Sequence, residues 1–261
     1  MSFIGLEWVA IGVVVLMIGM SRGGLPVAGV TLPLLIIIWP EQGQAARSAV
    51  AFMLPLLCFM DVVGIILYRG KPDWSHIKKL LPATIGGVFV ASLFFVAEGG
   101  ISFSDRTLKL VIGMLGLAFT IWQIWGMRYF KSTEASAGNI RLRPIIYGFS
   151  AGIISTIAHA AGPVMQMYFL PTGLAKTRFA ATSVYFFFFL NIVKILPFAL
   201  LGRFSREQLM ASVWILPVIP IGVMLGYLIV RLMREHYYIR FIYLSLSITS
   251  VLLIYRAITG P

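Results

Sequence analysis

Apolar positions in this chain fall in long unbroken runs rather than in alternation. The runs cover residues 5–39, 45–68, 80–97, 107–127, 145–170, 179–201, 209–230 and 237–258. Most are about 18 to 24 residues long, enough to cross about 30 Å of hydrocarbon at about 1.5 Å per residue. Ten-residue segments of alternating character, the mark of an outer-membrane barrel, are absent. The pattern predicts an all-α, polytopic helical membrane protein.

The first run is too long for one span, since 35 residues of helix would reach about 52 Å. Its middle reads Gly19-Met20-Ser21-Arg22-Gly23-Gly24-Leu25-Pro26, where Gly and Pro favour a break. Two half-length helices meeting at a broken tip are therefore expected. The chain also repeats itself. Leu81-Pro82, Gly87-Val88 and Ala91 recur as Leu216-Pro217, Gly222-Val223 and Gly226 at identical spacing. Arg47 and Arg178 begin corresponding spans, Gly70 and Gly202 close them, and Pro26 matches Pro163. The repeats run over 1–127 and 144–261, joined by a polar linker at 128–143. Such repeats are a signature of secondary transporters.

Composition enters here as a test of topology. The 261 residues are 59% hydrophobic and 11% charged, with a net charge of +12, well outside the range of a soluble domain. In a membrane chain the basic excess is read as cytoplasmic loops rather than as nucleic-acid binding. If the first run of each repeat crosses once, the loop cations divide 11 to 8 between the faces, which is almost no bias. If each is a re-entrant hairpin, they divide 13 to 6. The hairpin topology gives three crossings per repeat, inverted repeats, and both termini outside an inner membrane. Glu7 and the lack of a basic leader argue against a cleaved signal peptide. The single cysteine, Cys58, excludes an internal disulfide and a cysteine metal site.

Two cations lie outside both tallies. Arg22 stands at the broken tip and Lys194 lies within the run 184–201. Intramembrane cations are costly and mark function by default; the plainer roles are snorkelling or a structural pairing for Arg22 and an interhelical pair with Asp61 for Lys194. A half-helix N-terminus presents N–H groups suited to an anion. Gly23 and Gly24 would allow close backbone approach, Ser21 adds a hydroxyl, and Arg22 adds a fork of donors. The matching tip, Ser155-Thr156-Ile157-Ala158-His159-Ala160-Ala161-Gly162-Pro163, offers hydroxyls, backbone N–H groups and an imidazole. Asp61 and His159 are candidate proton carriers. Gln166, Asn191, Thr182 and Ser183 are candidate polar lining, and Arg47 and Arg178 candidates for gating. These residues point to a small anion such as a carboxylate, sulfite or sulfonate. No nucleotide, dinucleotide or metal motif is present, so no cofactor is expected. Two other classes are an intramembrane serine hydrolase using Ser150 of Gly148-Phe149-Ser150-Ala151-Gly152, and a non-transporting scaffold. A homodimer is expected on general grounds only.

At these residues the sequence resembles the TauE/SafE family of sulfite and organosulfonate exporters, over nearly the whole chain. Gly19–Leu25 is similar to the family's G-x-S-K-G-G-[LF] stretch, with Arg22 for the usual Lys, followed by Pro33-Leu34-Leu35. Ser155–Pro163 is similar to its S-T-I-A-H-A-G-G-P segment, with Ala161 for Gly and Val164 for a common second Pro. Leu170-Pro171, Lys176, Phe179-Ala180-Ala181-Thr182, Asn191, Lys194 and Pro197 continue the match. The resemblance implies transport of sulfite or of an organic anion such as sulfoacetate, by export or by uptake.

Overall fold

A computed structural model describes residues 5–25, 45–96, 142–202 and 204–259, with isolated positions 110, 114, 117 and 121. The expected Pro33–Leu35 arm, most of the 107–127 run, the linker as far as residue 141 and Arg203 lie outside the described residues. So does the side chain of Arg47, whose backbone is helical.

The described chain is helical throughout. The elements are α1 Gly5–Arg22, α2 Ala45–Leu67, α3 Trp74–Val96, α4 Leu142–Ala158 and α5 Gly162–Phe169. A 3-10 turn at Leu170–Thr172 leads to α6 Lys176–Leu200, α7 Arg206–Ile215, α8 Val218–Leu232 and α9 Glu235–Thr259. Both expected breaks are present, after Arg22 and between Ala158 and Gly162. Two boundaries differ from the hydropathy. The third run starts at Trp74 rather than at residue 80, because Asp73 caps it: its Oδ1 accepts the Ser75 amide at 3.0 Å. The run over 209–230 is not one straight helix. Leu209–Ile215 and Val218–Leu232 meet at a 54° bend, where Pro217 has no N–H to give the ladder. Lys176–Leu200 meets the length and hydropathy of a span by itself among the described residues. The outer surface carries exposed Leu200, Leu232, Trp214 and Ile66, as a lipid-facing exterior requires.

The repeated glycines decide how the helices pair. A Cβ on Gly222 would meet the Leu16 carbonyl oxygen at 2.6 Å, and one on Gly226 the Met20 oxygen at 2.1 Å. On the other side, a Cβ on Gly87 would meet the Phe149 oxygen at 2.2 Å, and one on Gly152 the Thr84 oxygen at 2.3 Å. So α1, from the first half of the sequence, packs backbone to backbone on α8 from the second. In return α4, from the second half, packs on α3 from the first. Small residues allow this close approach in a bilayer, where lipid offers no drive toward tighter packing. Ser150 lies on α4 between Gly152 and Gly148, where a Cβ would likewise meet the Leu80 oxygen at 2.6 Å, and the strand–turn–helix elbow of a G-x-S-x-G nucleophile is not formed.

Contact order also fixes direction. Along both pairs the touching residues rise together, so α1 runs parallel to α8 and α4 parallel to α3. The start of α3 is tied to α6 near its N-terminus, where the Asp73 amide donates to Thr182 Oγ1 at 2.8 Å. The end of α8 is tied to the same place, because Lys176 Nζ donates to the Val230 and Arg231 carbonyls at 3.0 Å, and also to Met233 O. Hence α3 and α8 are antiparallel, and α1 and α4 reach inward from opposite ends of α6. Lys176, which charge counting treats as a loop cation, is the C-terminal cap of α8. Lys176→Met should therefore lower stability by about 1–2 kcal/mol, the usual worth of a cation on orphan carbonyls, read as a fall in the thermal unfolding midpoint.

Candidate functional site

Each tip is closed by a left-handed residue. At the end of α1 the Gly24 amide donates to Ser21 O at 3.1 Å and the Leu25 amide to Met20 O at 3.2 Å. This is a Schellman motif, and Gly24 supplies the positive φ of 105° that it needs. At the end of α4 the residue in this conformation is His159, with φ 47°. A non-glycine residue held there costs about 1 kcal/mol or more, so neighbouring contacts must fix it.

Only the α1 side of the first tip is described; the arm that begins at Pro26, and whose N–H groups are expected to face the anion, lies outside the described residues. The α1 side is a helix C-terminus, which presents carbonyls rather than N–H groups. Gly23 O accepts from Tyr68 Oη at 2.7 Å and Gly24 O from Tyr238 Oη at 2.8 Å. Gly23 serves packing, since a Cβ there would meet Val223 O at 2.3 Å and Tyr227 N at 2.6 Å. The tips also do not meet end to end. Gly24 lies against Ala180, whereas His159 lies against Lys194 and Phe198, about 21 Å further along α6. They overshoot one another, and the space between them is the site.

The walls of that space include Ser21, Arg22, Gly24, His159, Gly162 and Gln166. Residues Phe179, Ala180, Ser183, Val184 and Phe187 of α6 face it, with Met165 and Tyr238. Six residues expected from the sequence to bind substrate are thus brought to one cavity. Thr156 is not among them: fully buried, its hydroxyl donates to Gly152 O at 2.7 Å within its own helix. Thr182 and Arg178 lie at the α6–α3 junction instead. Thr182 Oγ1 donates to Arg178 O at 2.6 Å, and Arg178 Nε stands 4.0 Å from Asp73 Oδ2 with its side chain largely exposed.

Beyond Phe187, the same face of α6 carries Asn191 and Lys194, both fully buried. Among the described residues the expected Lys194–Asp61 pair is not formed, whereas a structural pairing of Arg22 is. Asp61 pairs with Arg22, whose Nη1 stands 3.3 Å from Asp61 Oδ1, and Asn191 Nδ2 donates to Asp61 Oδ2 at 2.6 Å. Lys194 is served by the second tip: its Nζ lies 3.2 Å from Ser155 O, 2.9 Å from Ser155 Oγ and 2.8 Å from His159 Nδ1. Those three acceptors match the three hydrogens of an ammonium. With an ammonium as the donor, Nδ1 is the accepting nitrogen of that pair.

The two cations are satisfied to different degrees. Lys194 has an acceptor for each hydrogen. Arg22 stacks on Phe187, 4.5 Å from the ring centroid, and neither its Nη1 nor Asp61 Oδ1 completes a hydrogen bond among the described residues. Gln166 Oε1, also buried, lacks a partner among them too. A buried guanidinium with donors to spare is a fork for an oxyanion. Below this layer Leu54, Phe198, Cys58 and Phe204 pack as an apolar cluster. Sequence reasoning missed Tyr68 and Tyr238, because a tyrosine near a span end reads as an interfacial anchor.

Among protein-family models, that described as sulfite exporter TauE/SafE matches residues 8–253. No curated protein and no solved structure matches the chain.

Proposed function

We propose a function from a single premise: the chain belongs to the TauE/SafE sulfite exporter family. It is therefore a membrane transporter of a sulfur-anion-exporting family and not an enzyme. Its substrate is a small sulfur-containing anion, sulfite or an organosulfonate such as sulfoacetate, moved outward across the inner membrane. The observation that carries this reading is the incompletely hydrogen-bonded Arg22 guanidinium in the wall of a cavity built between two opposed broken helices.

In this mechanism Arg22 takes the oxyanion by its free donors, and Ser21, Gln166 and the Gly162 end of α5 complete the cradle. The positive end of α5 favours negative charge. Lys194 holds His159 in place at the cavity wall, where its imidazole is a candidate carrier of a coupling proton. The reciprocal packing of α1 on α8 and α4 on α3 supports two inverted repeats, 1–127 and 144–261, and the 13-to-6 division of loop cations supports both termini outside. Rocking of one repeat against the other would expose the cavity alternately. Phe179, Val184, Phe187 and Met165 give the cavity a largely apolar wall, which favours an anion with an organic body over a bare oxyanion.

A thermal-shift screen of the purified protein with sulfite, sulfoacetate, other sulfonates and carboxylates tests the reading. A sulfur anion is expected to raise the unfolding midpoint with concentration, by linkage worth about 2.7 kcal/mol at 100 times its Kd. A folded protein that responds to none of the sulfur anions would falsify the proposal. A fluorophosphonate should leave Ser150 unlabelled.

A further inference from the structure

Among the described residues the layer beneath the cavity buries two cations, Arg22 and Lys194, and one acid, Asp61. A buried carboxylate on a buried guanidinium is normally held by several good hydrogen bonds, because each ion has lost its water. This pair is held loosely. The ions stand 3.3 Å apart without completing a hydrogen bond through Nη1 or Oδ1. Among the described residues the firm bond on the carboxylate comes from Asn191 of α6, and Lys194 lies one turn further along that same face. Asp61 therefore stands between two cations, ion-paired with the first and anchored one turn from the second.

We propose that Asp61 is a displaceable counter-ion, which occupies Arg22 when the cavity is empty and yields it to the transported anion. The inference rests on the reading of Arg22 as the anion fork. On binding, the oxyanion takes the guanidinium donors, and Asp61 stays on its Asn191 hydrogen bond, one turn of α6 from the Lys194 charge. On release Asp61 again pairs with Arg22, so the empty carrier reorients without an unpaired guanidinium in its interior. No covalent step and no proton transfer is needed. The formal charge of the three residues, +1, falls to zero when a singly charged anion is bound.

The test uses the full chain, with titration calorimetry and proteoliposome flux, and sulfite and sulfoacetate as probes. Asp61→Asn keeps the shape and removes the competing charge. It should bind the anion at least tenfold more tightly than wild type. It should also retain exchange of internal for external anion while net efflux into anion-free medium falls at least tenfold. A merely structural aspartate would weaken binding and slow both fluxes together. Unchanged or weaker affinity in a folded Asp61→Asn protein overturns the inference. Should that variant fail to fold, Asp61→Glu is read instead. Its longer carboxylate reaches further over Arg22 and should weaken binding at least threefold with net efflux retained, whereas equal or tighter binding overturns the inference. A wild-type protein that binds neither probe would instead remove the premise about Arg22.

Discussion

Arg22→Ala is expected to weaken sulfur-anion binding by about 100-fold or more, below detection in titration calorimetry. Truncating one member of a buried, hydrogen-bonded charge pair costs about 2–5 kcal/mol, and 2.7 kcal/mol is already a hundredfold. The size follows from the setting. Arg22 is 9% exposed and touches both the cavity and Asp61, so water cannot replace its donors. The same change leaves Asp61 buried without its cation, which destabilises by about 3–5 kcal/mol. Binding and folding are separated by two companions. Arg22→Lys keeps the charge and loses the planar fork; it should fold, with affinity reduced about tenfold. The double variant Arg22→Gln with Asp61→Asn removes both ions, and should regain stability over Arg22→Gln while still failing to bind. A double variant that binds as wild type would place the anion elsewhere.

How much of this was legible beforehand follows from the range of each signal. Long apolar runs and the Gly–Pro breaks are local, and they located both tips to within a few residues. Of the repeated Leu-Pro…Gly-Val pattern, Gly87 and Gly222 each meet the backbone of a neighbouring helix, whereas Pro82 lies inside a helix and Pro217 at a bend. Depth along the span correctly singled out Arg22, Lys194 and Asp61 as the ions to explain. Their pairing was not legible, because the partner of a buried charge depends on which helix faces which. Arg22, not Lys194, received Asp61. The carbonyl-bearing end of α1 was not legible for a related reason, and the arm expected to present N–H groups lies outside the described residues. A Gly-Gly pair satisfies both a ligand-approach loop and a Schellman cap, and only the hydrogen bonds from Gly24 and Leu25 back to Ser21 and Met20 distinguish them. The bend at Pro217 is invisible to a hydropathy window, which averages over it.

That ambiguity gives the second large effect. Were Gly23 present so that an anion could approach the backbone, Gly23→Ala would lower affinity in a protein of ordinary stability. The structure predicts the reverse. An alanine Cβ would sit 2.3 Å from Val223 O, 2.6 Å from Tyr227 N and 2.9 Å from Gly226 C. These are backbone atoms of α8 and cannot rotate aside, so α1 and α8 must separate. Overpacking of this kind costs about 1–3 kcal/mol, and contact with fixed backbone puts Gly23→Ala at the upper end, about 3 kcal/mol. Gly226→Ala, aimed at Met20 O from the facing helix at 2.1 Å, should cost a similar amount although it lies outside the cavity wall. The two midpoints are therefore expected to fall together in thermal unfolding. The fraction of Gly23→Ala that folds should bind sulfite or sulfoacetate within about threefold of wild type, since Arg22, Ser21 and Gln166 are untouched. Loss of affinity in Gly23→Ala with an unchanged midpoint would return Gly23 to the anion, and would mean that α1 meets α8 less closely than the contacts at Gly19, Gly222 and Gly226 require.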